Sequence, residues 1–225
     1  MKWFAAIALV AFSCSHPVAR ETEPNLRKEL ARDGIGIPDK EGGAPAAIPL
    51  GRANSGLVAR MVTSMGEIRI TLYPKRMPKT VARFVSLVQS GYYNNTVFHR
   101  VVKNFIIQGG AYEAHTLSKK TEPVVGLKNE SCNGFSNIRG TIAMARKVAA
   151  DSAQTQFFFN VKANYSLDCR LRGKRAGYAV FGQVLRGMHV VDAIARLPVV
   201  NQGVGLESAP ITKVVLYKVE VIATQ

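Results

Sequence analysis

The sequence has few of the residues that enzymes use for metal, redox or nucleophilic chemistry. Its 225 residues include three cysteines, four histidines and one tryptophan. No Cys-x-x-Cys pair occurs, and His16, His99, His115 and His189 do not have the spacing of metal ligands. A Gly-x-Ser-x-Gly elbow, a phosphate-binding loop and a dinucleotide-binding glycine motif are also missing. We therefore expect neither a metal nor a cofactor.

Acidic residues are scarce as well. The chain has 30 Lys and Arg against 15 Asp and Glu, which gives a net charge of +15 and a pI near 10.0. Such a balance attracts acidic peptides, anionic lipids and nucleic acids. However, the positive charges are scattered and no nucleic-acid motif accompanies them. We expect no specific nucleic-acid partner, and we interpret the charge as serving solubility and long-range steering.

Long hydrophobic runs are limited to one short N-terminal stretch. Phe4–Phe12 is apolar and follows Lys2, but it is too short to span a bilayer of about 30 Å as a helix. It is typical of a secretory signal, which we assign to residues 1–19. Two processing routes remain open. A lipoprotein signal would end before Cys14 and place a lipid on it, whereas an ordinary signal peptidase would cut after one of three small residues: Ser13, Ser15 or Ala19.

Residues 20–56 follow with four prolines, six glycines and no sustained apolar periodicity. This composition predicts a flexible linker. A folded domain is predicted over residues 57–225, where patterns typical of short strands predominate. Leu57–Thr63 and Glu67–Leu72 predict a hairpin, because apolar and polar residues alternate in the second run.

Two amphipathic helices interrupt the strands. The first is predicted from Pro78 to Gly91, with an apolar stripe at Val81, Phe84, Val85 and Val88. The second is predicted from Met188 to Leu197. The other predicted strands are Thr96–Val102, Phe105–Gln108, Thr141–Ala145, Phe157–Val161, Tyr178–Val184 and Lys213–Ile222. Many short strands with two helices favour a closed antiparallel barrel, which has no open sheet edge.

An unusual arginine lies in the run Phe98–Gly110. His99 and Arg100 stand where a buried strand normally has Val or Ile. Two interpretations are open from this run alone: Arg100 lies on the solvent face, or its guanidinium reaches acceptors in a pocket, since a buried charge is costly otherwise. The Gly109-Gly110 pair is predicted to end the second strand of this run.

Further motifs resolve the ambiguity. After Phe98-His99-Arg100 and Gln108-Gly109-Gly110 come Gly140 to Met144-Ala145, then Gln156-Phe157-Phe158, then Phe181-Gly182. In this order they resemble the cyclophilin family of peptidyl-prolyl cis/trans isomerases, from about residue 57 to residue 222. The resemblance implies a mainly β fold, an eight-stranded antiparallel barrel capped by two helices. It also implies that the substrates are proline-containing unfolded or partly folded polypeptides.

Isomerisation of an X-Pro bond requires no covalent intermediate. Its barrier of about 20 kcal/mol arises because amide resonance is lost in the twisted state. A donor aimed at the prolyl nitrogen stabilises only that state. By resemblance Arg100 is the catalytic residue, and Gln108 orients it and binds the substrate backbone.

The resemblance also implies an apolar slot for the proline ring. Its lining is assigned to Phe105, Ile106, Phe158 and Leu167, with Tyr178 at the rim. The backbone at Ala145 and Arg146 is expected to hold the residue before proline, and Gln156 to support the same wall.

Tyr178 and Arg146 are similar to the residues of bacterial envelope cyclophilins. Together with the signal peptide they predict a monomeric protein of the bacterial periplasm, attached to the membrane only if Cys14 carries a lipid. Ser166 departs from the family, which usually has an aromatic residue there, although the neighbouring Tyr165 offers a substitute after a local shift. We expect low sensitivity to cyclosporin for this reason.

The two remaining cysteines, Cys132 and Cys169, either form one disulfide or stay reduced. In an oxidising compartment the disulfide would contribute roughly 3–4 kcal/mol. The basic segment Cys169–Arg175 is expected at the rim of the slot, where it either favours acidic flanking residues or is simply solvated. The favoured function is isomerisation that assists the folding of exported proteins. The alternative is a proline-segment-binding chaperone or scaffold with weak or no turnover.

Overall fold

The computed structural model describes residues 57–121, 125–170 and 175–223. The predicted signal peptide (residues 1–19), the linker (residues 20–56) and Cys14 lie outside the described residues. In the part of the chain that the structure covers, no helix is long and apolar enough to cross a membrane.

Eight strands close into an antiparallel barrel. These are β1 (Leu57–Thr63), β2 (Gly66–Leu72), β3 (Thr96–Val102), β4 (Ile106–Glu113), β5 (Thr141–Met144), β6 (Phe157–Asn160), β7 (Val180–Arg186) and β10 (Val215–Ala223). Their order around the barrel is β1-β10-β3-β4-β6-β5-β7-β2. Two short strands, β8 (Val199–Val200) and β9 (Ala209–Pro210), form a separate antiparallel pair. The predicted mainly β fold with an eight-stranded barrel is confirmed.

Two helices accompany the barrel, as predicted: α1 (Pro78–Gln89) and α2 (Met188–Ala195). Pro78 opens α1, and the Glu130 carboxylate accepts the backbone N–H groups of Lys79 at 3.2 Å and Thr80 at 2.8 Å. These N–H groups have no partner within the helix, so Glu130 satisfies them and complements the helix dipole. The helix ends before Gly91, whose φ of 69° suits a glycine.

The apolar stripe of α1 packs onto an aromatic cluster. The Phe84 ring lies 5.1 Å from that of Phe181 and 6.3 Å from that of Phe157, measured between centroids. Phe157 in turn contacts Phe98 and Phe159 edge-on. Because side chains alternate along a strand, Phe157 and Phe159 of β6 share one face and Phe158 lies on the other. The packing of Phe157 and Phe159 therefore leaves the opposite face of β6, with Phe158, turned away from the aromatic cluster.

One prediction about β4 is wrong. Gly109 and Gly110 do not end this strand, which continues to Glu113. The pairing with β3 is irregular beside Phe98, and Gly110 has a φ of 87°. A Cβ at Gly110 would lie 2.9 Å from the Tyr93 ring and 3.0 Å from the carbonyl oxygen of Thr155. The glycines thus permit a bulge and a close approach of neighbouring groups inside a continuing strand.

Candidate active site

The centre of the candidate site is a row of cross-strand pairs. Arg100 of β3 pairs with Gln108 of β4, Gln108 pairs with Phe158 of β6, and Phe158 pairs with Ala143 of β5. Directly paired residues project from the same face of a sheet. This is the face of β6 opposite to Phe157 and Phe159. An arginine, a glutamine and a phenylalanine that are far apart in sequence are brought together in this way.

Arg100 is buried within this row. Its side chain is among the largest that are fully enclosed, and the residue is 1% exposed, so the interpretation as a surface arginine is wrong. Its Nη1 donates to Oε1 of Gln108 at 3.4 Å. Nε2 of Gln108 then donates to Oε1 of Gln156 at 2.8 Å. The guanidinium therefore contacts Gln108, and Gln108 is held in turn by Gln156.

The residues assigned to the apolar slot belong to one buried cluster. Ile106, Phe158, Leu167 and Tyr178 are all 3% exposed or less, while Phe105 is 9% exposed. The Phe158 and Tyr178 rings meet edge-on with centroids 5.6 Å apart. The Tyr178 N–H donates to the Leu167 carbonyl at 2.9 Å, which holds these two walls together.

Arg146 covers Tyr178. Its guanidinium carbon lies 4.7 Å from the centre of the tyrosine ring, a cation–π contact. Nε donates to the Gly177 carbonyl at 3.0 Å and Nη2 to the Ala176 carbonyl at 2.6 Å. Tyr178 is consequently buried, and Arg146 is the residue that faces solvent at the rim. The Ala145 N–H donates to the Gln156 carbonyl at 2.9 Å, which ties this segment to the start of β6.

Cys132 and Cys169 form a disulfide, with Cα atoms 5.2 Å apart. The bond joins the chain next to Leu167 to the segment before β5. Beyond it, Arg170 and Arg175 exchange backbone hydrogen bonds of 2.9 and 3.1 Å. Nη2 of Arg175 also donates to the Ser166 carbonyl at 2.7 Å. The described ends of the basic segment thus lie next to the turn that contains Ser166 and Leu167, while residues 171–174 are outside the described residues.

A family model described as cyclophilin type peptidyl-prolyl cis-trans isomerase/CLD matches residues 58–221. The chain belongs to the cyclophilin family. A peptidyl-prolyl cis-trans isomerase of Acinetobacter baylyi is 45% identical over 151 residues, which cover 67% of this chain and 78% of the relative. Isomerase A of Dickeya dadantii is 43% identical over 163 residues, 72% of this chain and 83% of the relative. This cyclophilin is therefore a peptidyl-prolyl cis-trans isomerase.

Two further comparisons agree. Isomerase B of Escherichia coli is 46% identical over 134 residues, which cover 59% of this chain and 80% of the relative. The crystal structure of a Cryptosporidium parvum cyclophilin, determined in the presence of the dipeptide Ala-Pro, has a TM-score of 0.63 and 24% sequence identity. The match covers 74% of this cyclophilin and 99% of that chain. At this identity the structural match shows the fold.

A cleft that the sequence did not predict continues from the glutamine pair of this cyclophilin. Its volume is about 980 Å³. Gln108 and Gln156 are shared with the candidate site, and the other lining residues include His99, Tyr112, Lys119, Lys147 and Glu207. They come from two strands and three loops, with no common motif or spacing. Only the folded chain could reveal that these two exposed lysines lie on one cleft.

His99 lines this cleft and is buried next to Arg100. Burial, together with the positive charge of Arg100, lowers the pKa of His99 to about 3. Its ring packs against Tyr112 with centroids 4.8 Å apart. The imidazole is therefore neutral throughout the physiological range, and it adds no second positive charge beside the guanidinium.

The titration of His99 predicts how stability depends on pH. In the unfolded chain the pKa of a histidine is about 6.5, so below that pH the unfolded chain binds one proton more than the folded chain. The free energy of unfolding should fall by about 1.4 kcal/mol per pH unit on this account as pH decreases from 6 towards 4. The loss is complete below the folded pKa of about 3.

Urea denaturation between pH 4 and pH 7 measures this effect. His99→Gln should reduce the dependence on pH, while the same substitution at the exposed His115 should leave it in place. An unchanged pH dependence in His99→Gln would show that His99 titrates in the same way in the folded and unfolded chains.

Proposed function

We propose that this isomerase accelerates the folding of exported proteins by twisting X-Pro bonds in the apolar slot with the assistance of Arg100. The observation that carries the proposal is the row Arg100, Gln108 and Phe158 on neighbouring strands. In this row a permanently charged donor and an aromatic ring project from the same face of the sheet, with Gln108 between them. The alternative, a binder of proline segments with weak turnover, requires the aromatic wall but not the arginine.

The proposed mechanism is electrostatic. As the C–N bond rotates, the prolyl nitrogen loses conjugation and gains a lone pair. A guanidinium that donates to this nitrogen stabilises the twisted state more than either planar state, which lowers the barrier. Gln108 and Gln156 hold the guanidinium in place, so little reorganisation is needed at the moment of rotation. Arginine suits this role because it stays charged and offers a rigid set of donors.

The apolar residues have the complementary task. Phe105, Phe158 and Leu167 would take the proline ring out of water, while the backbone at Ala145 and Arg146 holds the preceding residue. These contacts would hold the peptide in place, while the carbonyl group that precedes the proline must stay free to turn relative to the ring as the C–N bond rotates. Of the slot residues, Phe105 has the greatest exposed fraction, 9%, and it lies in the turn between β3 and β4.

Substitution of Arg100 tests this mechanism. We expect Arg100→Ala to lower kcat/KM for an Ala-Pro peptide by about 100-fold or more, the usual loss for one transition-state donor. Arg100→Lys keeps the positive charge but loses the rigid planar set of donors, and its kcat/KM should lie between those of the wild type and Arg100→Ala. Arg69→Ala, which removes a half-exposed arginine paired with Glu67 on β2, is the matched control and should retain the activity. Equal kcat/KM for wild type and Arg100→Ala, measured by NMR exchange, would favour the binding function.

We further propose that the groove prefers prolines flanked by acidic residues. Lys119 and Lys147 line the cleft that continues from Gln108 and Gln156, and Arg170 and Arg175 follow the turn that contains Leu167. Because these side chains are close to solvent, the attraction acts mainly on encounter and weakens with salt.

Peptides that differ only in Glu or Lys beside the Ala-Pro unit measure this preference. We expect kcat/KM to be about 10-fold higher for Glu at low salt, the lower end of the range for electrostatic steering. Lys119→Gln combined with Lys147→Gln should reduce the difference. Lys75→Gln combined with Lys218→Gln, equal in charge but remote, should not. Equal values for the two peptides in the wild type would refute the preference.

The envelope location rests on the N-terminal sequence and is supported by the disulfide, since disulfides persist in oxidising compartments. In a Gram-negative host, we expect the mature protein in the envelope fraction. Its mass separates the two processing routes. A chain that starts at Cys14 and carries diacylglycerol is a lipoprotein, and one that starts at Cys14, His16 or Arg20 without lipid is soluble. Full-length protein in the cytoplasm would contradict the proposal.

A further inference from the structure

Four buried polar side chains adjoin the residues assigned to the slot. Asn137, Asn160, Asn164 and Asp168, which we call the asparagine network, are each 4% exposed or less. Burial of amide groups is costly unless they are hydrogen-bonded, so the presence of four such side chains here needs a physical reason. The partners of their hydrogen bonds supply that reason.

Asn164 connects two walls of the slot. Its Nδ2 donates to the Phe105 carbonyl at 3.0 Å and to Oδ1 of Asn160 at 2.8 Å. Its backbone carbonyl accepts a hydrogen bond from the Leu167 N–H at 2.9 Å. Phe105 lies in the turn between β3 and β4, and Leu167 lies in the 3-10 turn Tyr165–Leu167. The side chain of Asn164 thus holds Phe105, 59 residues away in sequence, and its backbone carbonyl holds Leu167.

Asn137 extends the connection to a third wall. Its Nδ2 donates to the Tyr178 carbonyl at 3.3 Å and to Oδ1 of Asp168 at 2.9 Å. Its backbone carbonyl accepts a hydrogen bond from the Asn164 N–H at 2.7 Å, and its Oδ1 accepts one from Nδ2 of Asn160 at 3.2 Å. One connected set of hydrogen bonds therefore joins the backbone of Phe105, Leu167 and Tyr178.

These contacts do not reach Arg100 in the described structure, so the network has no direct part in orienting the donor. Apolar packing alone would let the walls slide, because dispersion contacts have little directional preference. Hydrogen bonds to backbone carbonyls define both distance and angle. The network is thus suited to hold the spacing between the walls.

We propose that Asn164, held by Asn137 and Asn160, is a positioning residue that sets the width of the proline slot and so its selectivity for a five-membered ring. The proposal rests on the assignment of the slot under the proposed function. A fixed slot should discriminate against pipecolic acid, whose ring has one additional methylene. In a rigid pocket one methylene changes kcat/KM by about 10- to 200-fold.

The experiment compares kcat/KM for otherwise identical prolyl and pipecolyl peptides. Asn164→Asp keeps the shape of the side chain but replaces its donor with an acceptor that faces two acceptor oxygens. We expect the prolyl-to-pipecolyl ratio to fall by about fivefold or more, within the range for one methylene. Asn164→Ser retains one donor and should give an intermediate ratio. It also provides the test if Asn164→Asp does not fold.

A destabilised control separates positioning from general loss of stability. Ile68→Ala removes fully buried apolar volume from β2, which has no slot residue and does not pair with β3, β4 or β6. It should lower the melting temperature and leave the ratio within twofold of the wild type. All assays are run at a temperature where circular dichroism shows each variant folded.

Three results would overturn the proposal. If the Asn164 variants keep the wild-type ratio, or if Ile68→Ala lowers it equally, Asn164 does not set the width. If the wild type itself does not discriminate, there is no narrow slot, and the proposed assignment of Phe105 and Leu167 fails with it. The Arg100 substitutions report on the donor independently, so failure of the mechanism and failure of the positioning role remain distinguishable.

Discussion

The hydrogen bonding of a guanidinium buried in the wall of a β-barrel is the interaction on which the rest of the site depends. A buried charge is costly unless polar partners accept hydrogen bonds from it. Gln108 contacts it directly, and Gln156 holds Gln108. Burial, together with the same charge, lowers the pKa of the neighbouring His99, whose imidazole is therefore neutral. The proposed chemistry needs only this fixed donor, because bond rotation requires no nucleophile and no net proton transfer.

The proposed substrate slot and the hydrophobic core are built from the same strands. On β6, Phe157 and Phe159 join the aromatic cluster under α1, and Phe158 turns to the other face beside Tyr178. The packing that stabilises the barrel therefore also holds the wall of the slot. Around its edge, Arg146, the disulfide and the asparagine network restrain the loops that complete it.

Local patterns predicted the elements well and their junctions less well. The bounds of β3 and the start of α1 at Pro78 follow from an apolar run and from helix-start chemistry. Gly109-Gly110 misled the prediction for β4, because a glycine pair is compatible with a strand end and with a bulge. In the structure the ring of Tyr93 and the carbonyl of Thr155 pack closely against Gly110 within the continuing strand, and both residues are distant from it in sequence. Similarly, the run around Arg100 could not show whether its side chain is buried.

The order and spacing of the motifs by themselves determined the family and the barrel, because each motif combines strand periodicity with residue types that rarely occur together. The tertiary structure alone decided what lies next to what. It buried Arg100 against two glutamines, covered Tyr178 with Arg146, brought two lysines to one cleft and connected Phe105 to Leu167 through Asn164. These are contacts between residues far apart in the chain, and local sequence contains no information about them until strand register is set.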